Sequence, residues 1–149
     1  MHPSSPTRKL SANSPVDSPV NSPATAPSTT KKLGDAAERM ALNHLERAGL
    51  RLIVRNFCTP GRGGGEIDLI MREADGTLVF IEVRARRSSG HGGAAASVGF
   101  AKQRRIVLAA RHYLMRLPKL PPCRFDVFCI DGIAPDVQVH WIKAAFDAA

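Results

Sequence analysis

Hydrophobic and polar positions change their period several times along the chain, and each change marks an element. Between Leu33 and Ala48, the residues Met40, Ala41, His44, Leu45 and Ala48 recur at the spacing of one helix face, and Gly49 follows where a helix-ending glycine belongs. RLIVRNF, from Arg51 to Phe57, is short, partly β-branched and alternating, which predicts a strand; CTPGRGGG after it reads as a mobile loop. EIDLIM (Glu66 to Met71) and TLVFIEVR (Thr77 to Arg84) are two further strands around an ADG turn, a β-hairpin. A second helical pattern runs from about Val98 to Leu117, with Ile106, Ala109, Ala110, Tyr113 and Leu117 on one face and Pro118, Pro121 and Pro122 closing it. RFDVFCI (Arg124 to Ile130) and VQVHWI (Val137 to Ile142) supply the last two strands. This order packs most simply as an α/β domain, a mixed central sheet flanked by helices.

Two segments have no such period. Residues 1–32 are Ser, Pro, Thr and Ala with almost no large apolar side chain, too little to offset chain entropy, so they read as a disordered tail before one folded domain at 33–149. RRSSGHGGAAAS is rich in glycine and serine and reads as an exposed loop. No apolar run reaches the length of a membrane span, and the start carries no signal-peptide-like stretch. Cys58, Cys123 and Cys129 are odd in number and without a CxxC spacing, which fits reduced thiols in the cytoplasm better than disulfides or zinc.

Charge narrows the choice of partner. A net charge of +8 draws the chain to polyanions, and nucleic acid, DNA or RNA, is the expected one. Aromatic residues are only 5% of the chain, which favours contacts to the backbone over stacking on bases.

Two acids stand where acids are unfavourable. Glu82 sits in LVFIEV, a run apolar on both sides as in a central strand, and alternation puts it on one face with Leu78, Phe80 and Arg84. An ionised carboxylate there needs a partner: an ion pair with Arg84 is the plain structural answer, a metal ion the functional one. In EIDLIM, alternation places Ile67, Leu69 and Met71 on one face and Glu66, Asp68 and Ile70 on the other. Paired in the hairpin, Asp68 would approach Glu82, and two repelling carboxylates call for a hard divalent cation, Mg²⁺ or Mn²⁺. Glu38 on the first helix is a third candidate, although a first-turn acid also complements a helix dipole. Lys102 precedes Ile106 by one turn, so its ammonium either snorkels to water or points into the site. Arg62, Arg86, Arg87, Arg104 and Arg105, with Arg55 and Arg111, could line a phosphate-binding groove or simply a solvated face.

The blocks GEIDLI, FIEVR, AKQRRI and RFDV, in this order and after GDAAERMALNHLERAGLRLIVRNF, resemble the YraN-type family of small uncharacterised bacterial proteins, from Gly34 to about Ile130. That family is assigned to the restriction-endonuclease-like superfamily with the PD-(D/E)XK motif. The resemblance implies a restriction-endonuclease-like core, with Glu38, Asp68 and Glu82 as acids of a Mg²⁺ or Mn²⁺ site and the Val83 carbonyl as a further ligand. The implied reaction is phosphodiester hydrolysis. The motif lysine two residues after the second acid is replaced by Arg84, which can steady charge and grip phosphate but cannot act as a base; Lys102 is the candidate to supply the ammonium. Cutting both strands of a duplex would favour a pair of sites, as in a homodimer. Two rival expectations stand beside this one. An inactive nuclease-fold module would bind DNA or RNA equally well in chelator and never cut. An assembly partner with structural ion pairs would lose stability, not metal affinity, on Glu82→Gln. The glycines of GRGGGE are not followed by Lys-Ser or Lys-Thr, so they form no P-loop.

Overall fold

The computed structural model describes residues 29–87 and 98–148. The proposed tail, apart from its last four residues, and most of RRSSGHGGAAAS lie outside them. Helix α1 (Thr29–Arg47) leads into β1 (Arg51–Cys58), β2 (Glu66–Arg72) and β3 (Leu78–Arg86); helix α2 (Phe100–Leu114) then leads into β4 (Cys123–Ile133) and β5 (Asp136–Phe146). The five strands form one sheet in the order β1-β2-β3-β4-β5. Neighbours are antiparallel except β3 and β4, which the crossover through α2 makes parallel. The α/β class and the mixed sheet flanked by two helices are as the sequence predicts.

Each face of the sheet carries one helix. Ala37, Ala41 and Leu45 of α1 pack with Leu69, Met71, Val79, Ile81, Phe128 and Ile130 on one side. Ile106, Val107, Ala109, Ala110 and Tyr113 of α2 pack with Ile67, Ile70, Leu78, Phe80 and Val127 on the other. Both faces of β3 are thereby covered, and Leu78 to Glu82 are all buried. The stripe that α1 buries differs from the expected one: Met40, His44 and Ala48 are exposed. The smaller Ala37 and Ala41 face inward because they let the helix lie close to the sheet. Gly49 ends the helix as expected, at a φ of +98°. The Leu50 amide bonds to the Leu45 carbonyl at 3.1 Å and the Gly49 amide to that of Glu46 at 3.0 Å, a Schellman closure.

The helix starts at Thr29, four residues before the boundary expected for the folded part. Helix α2 is shorter than its pattern, ending at Leu114; Arg116 and Leu117 continue in single turns bonded to Tyr113 and Leu114. Among the described residues no helix is long and apolar enough to cross a membrane.

The glycine-rich loop between β1 and β2 is closed at its base rather than loose. Thr59 and Gly65 exchange bonds: the Thr59 amide reaches the Gly65 carbonyl at 3.0 Å and the Gly65 amide the Thr59 hydroxyl at 2.8 Å. Gly65 also presses on α2 so closely that a methyl group there would overlap the Arg105 carbonyl.

Candidate active site

The β2–β3 hairpin holds its ladder from Arg72↔Leu78 only as far as Leu69↔Ile81. Beyond that rung β2 stays with β1 as far as Glu66, while β3 follows β4 to Arg86, so the two strands part. Asp68 and Glu82 are the first residues past the fork. Asp68 fills the gap in the ladder with its side chain, its Oδ2 accepting a 2.7 Å hydrogen bond from the Val83 amide. Strict alternation breaks here. Ile67 lies in the core under α2 together with Ile70, whereas Leu69 and Met71 lie under α1. The expectation that Ile67 shares a face with Leu69 is corrected by this turn of the strand at Asp68. On the partner strand, Asn56 takes a left-handed φ of 49°, a conformation asparagine tolerates, and Phe57 stays opposite Ile67.

Glu82 is 9% exposed and sits on the α2 side, where Lys102 from the first turn of that helix brings Nζ to 3.3 Å from its Oε2. The approach is an ion pair whose geometry falls short of a hydrogen bond, and Glu82 Oε2 accepts none. Glu38 is in the same state: Arg55 stands 3.6 Å away, and its buried Oε2 accepts no hydrogen bond. Because α1 begins at Thr29, Glu38 lies well past the first turn, which removes the helix-dipole reading of this acid. The ion pair expected between Glu82 and Arg84 is secondary. Lys102 is the stronger neighbour of the carboxylate, and Arg84 adds a weaker attraction.

The two acids at the fork are electrostatically one unit. Burial first, then the Glu82 charge and more weakly that of Glu38, push the Asp68 carboxyl up from 3.8 to about 7; the Val83 amide and Lys102 oppose the rise. Burial also raises Glu82, against the attraction of Lys102 and, more weakly, of Arg84. Each acid's charge disfavours ionisation of the other, so the two titrate as a coupled pair.

Glu38, Asp68 and Val83 line one groove of about 850 Å³ between α1 and the end of the sheet, with Ala37, Arg86 and Arg87. Among the described residues no three His, Cys, Asp or Glu side chains converge as a ready-made metal cage. The donors that do fit a hard cation are Asp68 and Glu82, with excess acid between them and a buried oxygen on Glu82 that accepts no hydrogen bond. Glu38 lines the groove and acts on Asp68 at longer range.

The arginines fall into two sets rather than one groove. Arg86 and Arg87 border the α1 groove. Arg104, Arg105 and Arg111 line a second one along α2, beside Gly63 of the glycine loop, and Arg62 is exposed on that loop. One buried acid was not singled out by sequence. Asp126 is fully buried in β4 and takes Arg124 at 2.9 Å, the Trp141 indole N–H at 2.9 Å and the Ala144 amide at 3.0 Å. Arg124 spans to Glu73 through two 2.8 Å bonds, tying the hairpin turn to β4. These contacts leave Asp126 no free oxygen for a ligand, so its part is structural.

The model of a family described as "Uncharacterised protein family UPF0102" matches residues 37–130. A UPF0102 protein of Paracidovorax citrulli is 63% identical over 119 residues, covering 80% of this chain and 85% of its own. Another, from Albidiferax ferrireducens, is 62% identical over 120 residues, with 80% of this chain and 90% of its own covered. A third, from Polaromonas naphthalenivorans, is 59% identical over 125 residues, with 80% and 82% covered. The matched region contains α1 from Ala37, all of β1 to β3, α2 and most of β4.

Proposed function

Since the chain belongs to the UPF0102 family, the YraN-type family of its resemblance, and that family's description names no activity, we propose a function from the site itself: a Mg²⁺- or Mn²⁺-dependent nuclease that hydrolyses phosphodiester bonds. The observation that carries the reading is the Asp68–Glu82 pair at the fork of β2 and β3, where burial and the Glu82 charge raise the Asp68 carboxyl and Lys102 stands 3.3 Å from Glu82. Such a pair is unfavourable for the fold unless a cation completes it.

Asp68 and Glu82 would hold the ion, with the Val83 carbonyl as a further oxygen donor and Glu38 adding negative charge along the groove. A bound divalent ion would polarise the scissile phosphate and lower the pKa of a water. The protein's own groups then have separate tasks. The Val83 amide fixes the Asp68 carboxylate in place. Lys102 offers an ammonium beside the acids, where negative charge develops on phosphate oxygens. Arg84 is always protonated and so takes no proton; it grips phosphate. Arg86 and Arg87 hold the strand on the α1 side, and Arg62, Arg104 and Arg105 on the α2 side. In this reading Lys102, from another element, does the work of the motif lysine. The reading includes the cytoplasm as compartment, where the thiols of Cys58, Cys123 and Cys129 stay reduced. It also includes a homodimer when both strands of a duplex are cut.

A second reading is favoured by Arg84 in the motif position: a nuclease-fold module that binds DNA or RNA, or serves as an assembly partner, without chemistry. One experiment separates the two. Labelled linear duplex, branched DNA, single-stranded DNA and structured RNA are incubated with Mg²⁺, Mn²⁺ or chelator, using wild type and Glu82→Ala. Cutting that needs metal and disappears in the variant supports the nuclease. Binding indifferent to chelator, with no cutting by either protein, replaces it with the binding module.

A further inference from the structure

Helix α2 carries a second stripe, on the side away from the core. Phe100, Arg104, Leu108 and Arg111 follow one another at spacings of four, four and three, which aligns them on one face. Phe100 is 73% exposed and Leu108 42%. The Arg104 guanidinium stands over the Phe100 ring, 5.8 Å from its centroid. Gly63, Arg105, Val107 and Asp147 complete a groove of about 650 Å³, within the range of roughly 300–1,000 Å³ typical of small-ligand sites.

We propose that this groove is a track for a single nucleic-acid strand, in which one unpaired base stacks on Phe100 while Arg104, Arg105 and Arg111 hold its phosphates. The inference deepens the nuclease reading, on which it rests, by naming the substrate class: a strand with unpaired bases rather than a continuous duplex. Charge selects the polyanion, since three arginines face one acid in the groove. The exposed ring selects an unpaired base, because only an unstacked base offers its π-face, and Arg104 supports the same plane from the side. A duplex would leave Phe100 idle in water. Lys102, which approaches Glu82, shares the first turn of the helix with Phe100 but points about 200° away from it, so the track and the acid pair lie on opposite sides of α2. The low aromatic content of the chain argued against a stacking platform of several rings. It does not bear on one ring placed in a basic groove.

The test is binding measured by fluorescence anisotropy in chelator, so that no cutting intervenes. The probes are an oligothymidine strand, an abasic strand of the same length and a blunt duplex. Phe100→Ala is expected to weaken oligothymidine binding about ten-fold, the effect of losing one stacked base, and to leave the abasic strand and the duplex unchanged. Phe100→Trp is expected to keep wild-type affinity. Arg104→Ala should weaken all three probes and reduce the salt slope by about one. Phe100 is exposed, and a thermal melt equal to wild type confirms that its replacement leaves the fold intact. An equal loss on the abasic strand, no loss on any probe, or a wild-type preference for blunt duplex overturns the track. Base-dependent binding without cutting in Mg²⁺ or Mn²⁺ retires the nuclease reading and leaves the track standing. Metal-dependent cutting of duplex, unaffected by Phe100→Ala, does the reverse.

Discussion

Replacing Asp68 by asparagine tests the coupled acid pair directly. Asparagine has nearly the shape of a protonated aspartate. Its carbonyl can accept the bond that the Val83 amide now gives to Oδ2, and its NH₂ can donate to Glu82. The folded state raises the carboxyl of Asp68 from 3.8 to about 7, so the native chain binds this proton more tightly than the unfolded chain does. Stability therefore falls as pH rises from about 4 to about 7, and above that the full penalty is in place. Each pKa unit is worth about 1.4 kcal/mol, which bounds the penalty near ~4 kcal/mol. Part of that belongs to Glu82, because the two acids titrate together and Lys102 offsets some of the repulsion. About 2 kcal/mol is the expected gain for Asp68→Asn at pH 8.

At roughly 4 °C per kcal/mol for a domain of this size, the variant should melt about 8 °C above wild type at pH 8, in buffer with chelator. Near pH 4 the two should melt within about 2 °C of each other, since wild-type Asp68 is then protonated as well. Scanning calorimetry or a dye-based melt across this range reads the difference. A constant gap between the two proteins at every pH, or a variant less stable at pH 8, would refute the reasoning. Asp68 would then be an ordinary hydrogen-bonded carboxylate, and the case for a cation between the acids would lose its main support.

Three further outcomes follow from other contacts. Gly65→Ala sets a methyl against the Arg105 carbonyl, and a loss of about 3 kcal/mol in urea unfolding is expected; an unchanged midpoint would mean that the loop does not press on α2. Asp126→Ala strips the Trp141 indole and the Ala144 amide of their acceptor, for a loss of about 3–5 kcal/mol. A shift in Trp141 fluorescence should accompany it, and full stability with unaltered emission would contradict the network. Lys102→Met should reduce metal-dependent cutting about 10²–10³-fold, and Arg84→Met should reduce it less; the opposite ranking, read from single-turnover rates, would return the motif role to Arg84.

Most of the fold was legible because periodicity reports burial, and burial is what the sheet and helices share. The central position of β3 could be read from the unbroken run LVFIEV, and the end of α1 from Gly49. Two things could not be read. Alternation carries no notice of where a ladder stops, so the turn of β2 at Asp68 and the placing of Ile67 beside Ile70 came only from the paired strands. The inward stripe of α1 was legible only in part: Ala41 and Leu45 belong to the expected face, but Ala37 does not, since alanine is a weak hydrophobic signal whose value is close approach to the sheet. At the site, sequence singled out Glu38, Asp68, Glu82 and Lys102, all odd for their surroundings. It could not show that the arginines divide between two grooves, because that depends on which end of which element a residue occupies. Asp126 escaped notice because two of its partners, Trp141 and Ala144, are distant in sequence.

The glycine-rich loop connects these observations. Its last residue sets the height of α2 on the sheet, because Gly65 admits the Arg105 carbonyl where any side chain would hold the helix away. Along α2 that carbonyl is three residues from Lys102, less than one helical turn. A small rise or rotation of the helix at Gly65 would therefore carry the ammonium away from Glu82, and the same rotation would turn Phe100 and Arg104 out of line with the groove. The closed base of the loop, through Thr59 and Gly65, holds β2 where it leaves β3. One backbone contact thus fixes both sides of the fork: the strand that carries Asp68 and the helix that answers Glu82. On this argument Gly65→Ala should damage the Lys102–Glu82 pairing along with stability, whereas an equally destabilising change at Asp126, on the far side of the sheet's pairing, should leave the pairing intact in the molecules that remain folded.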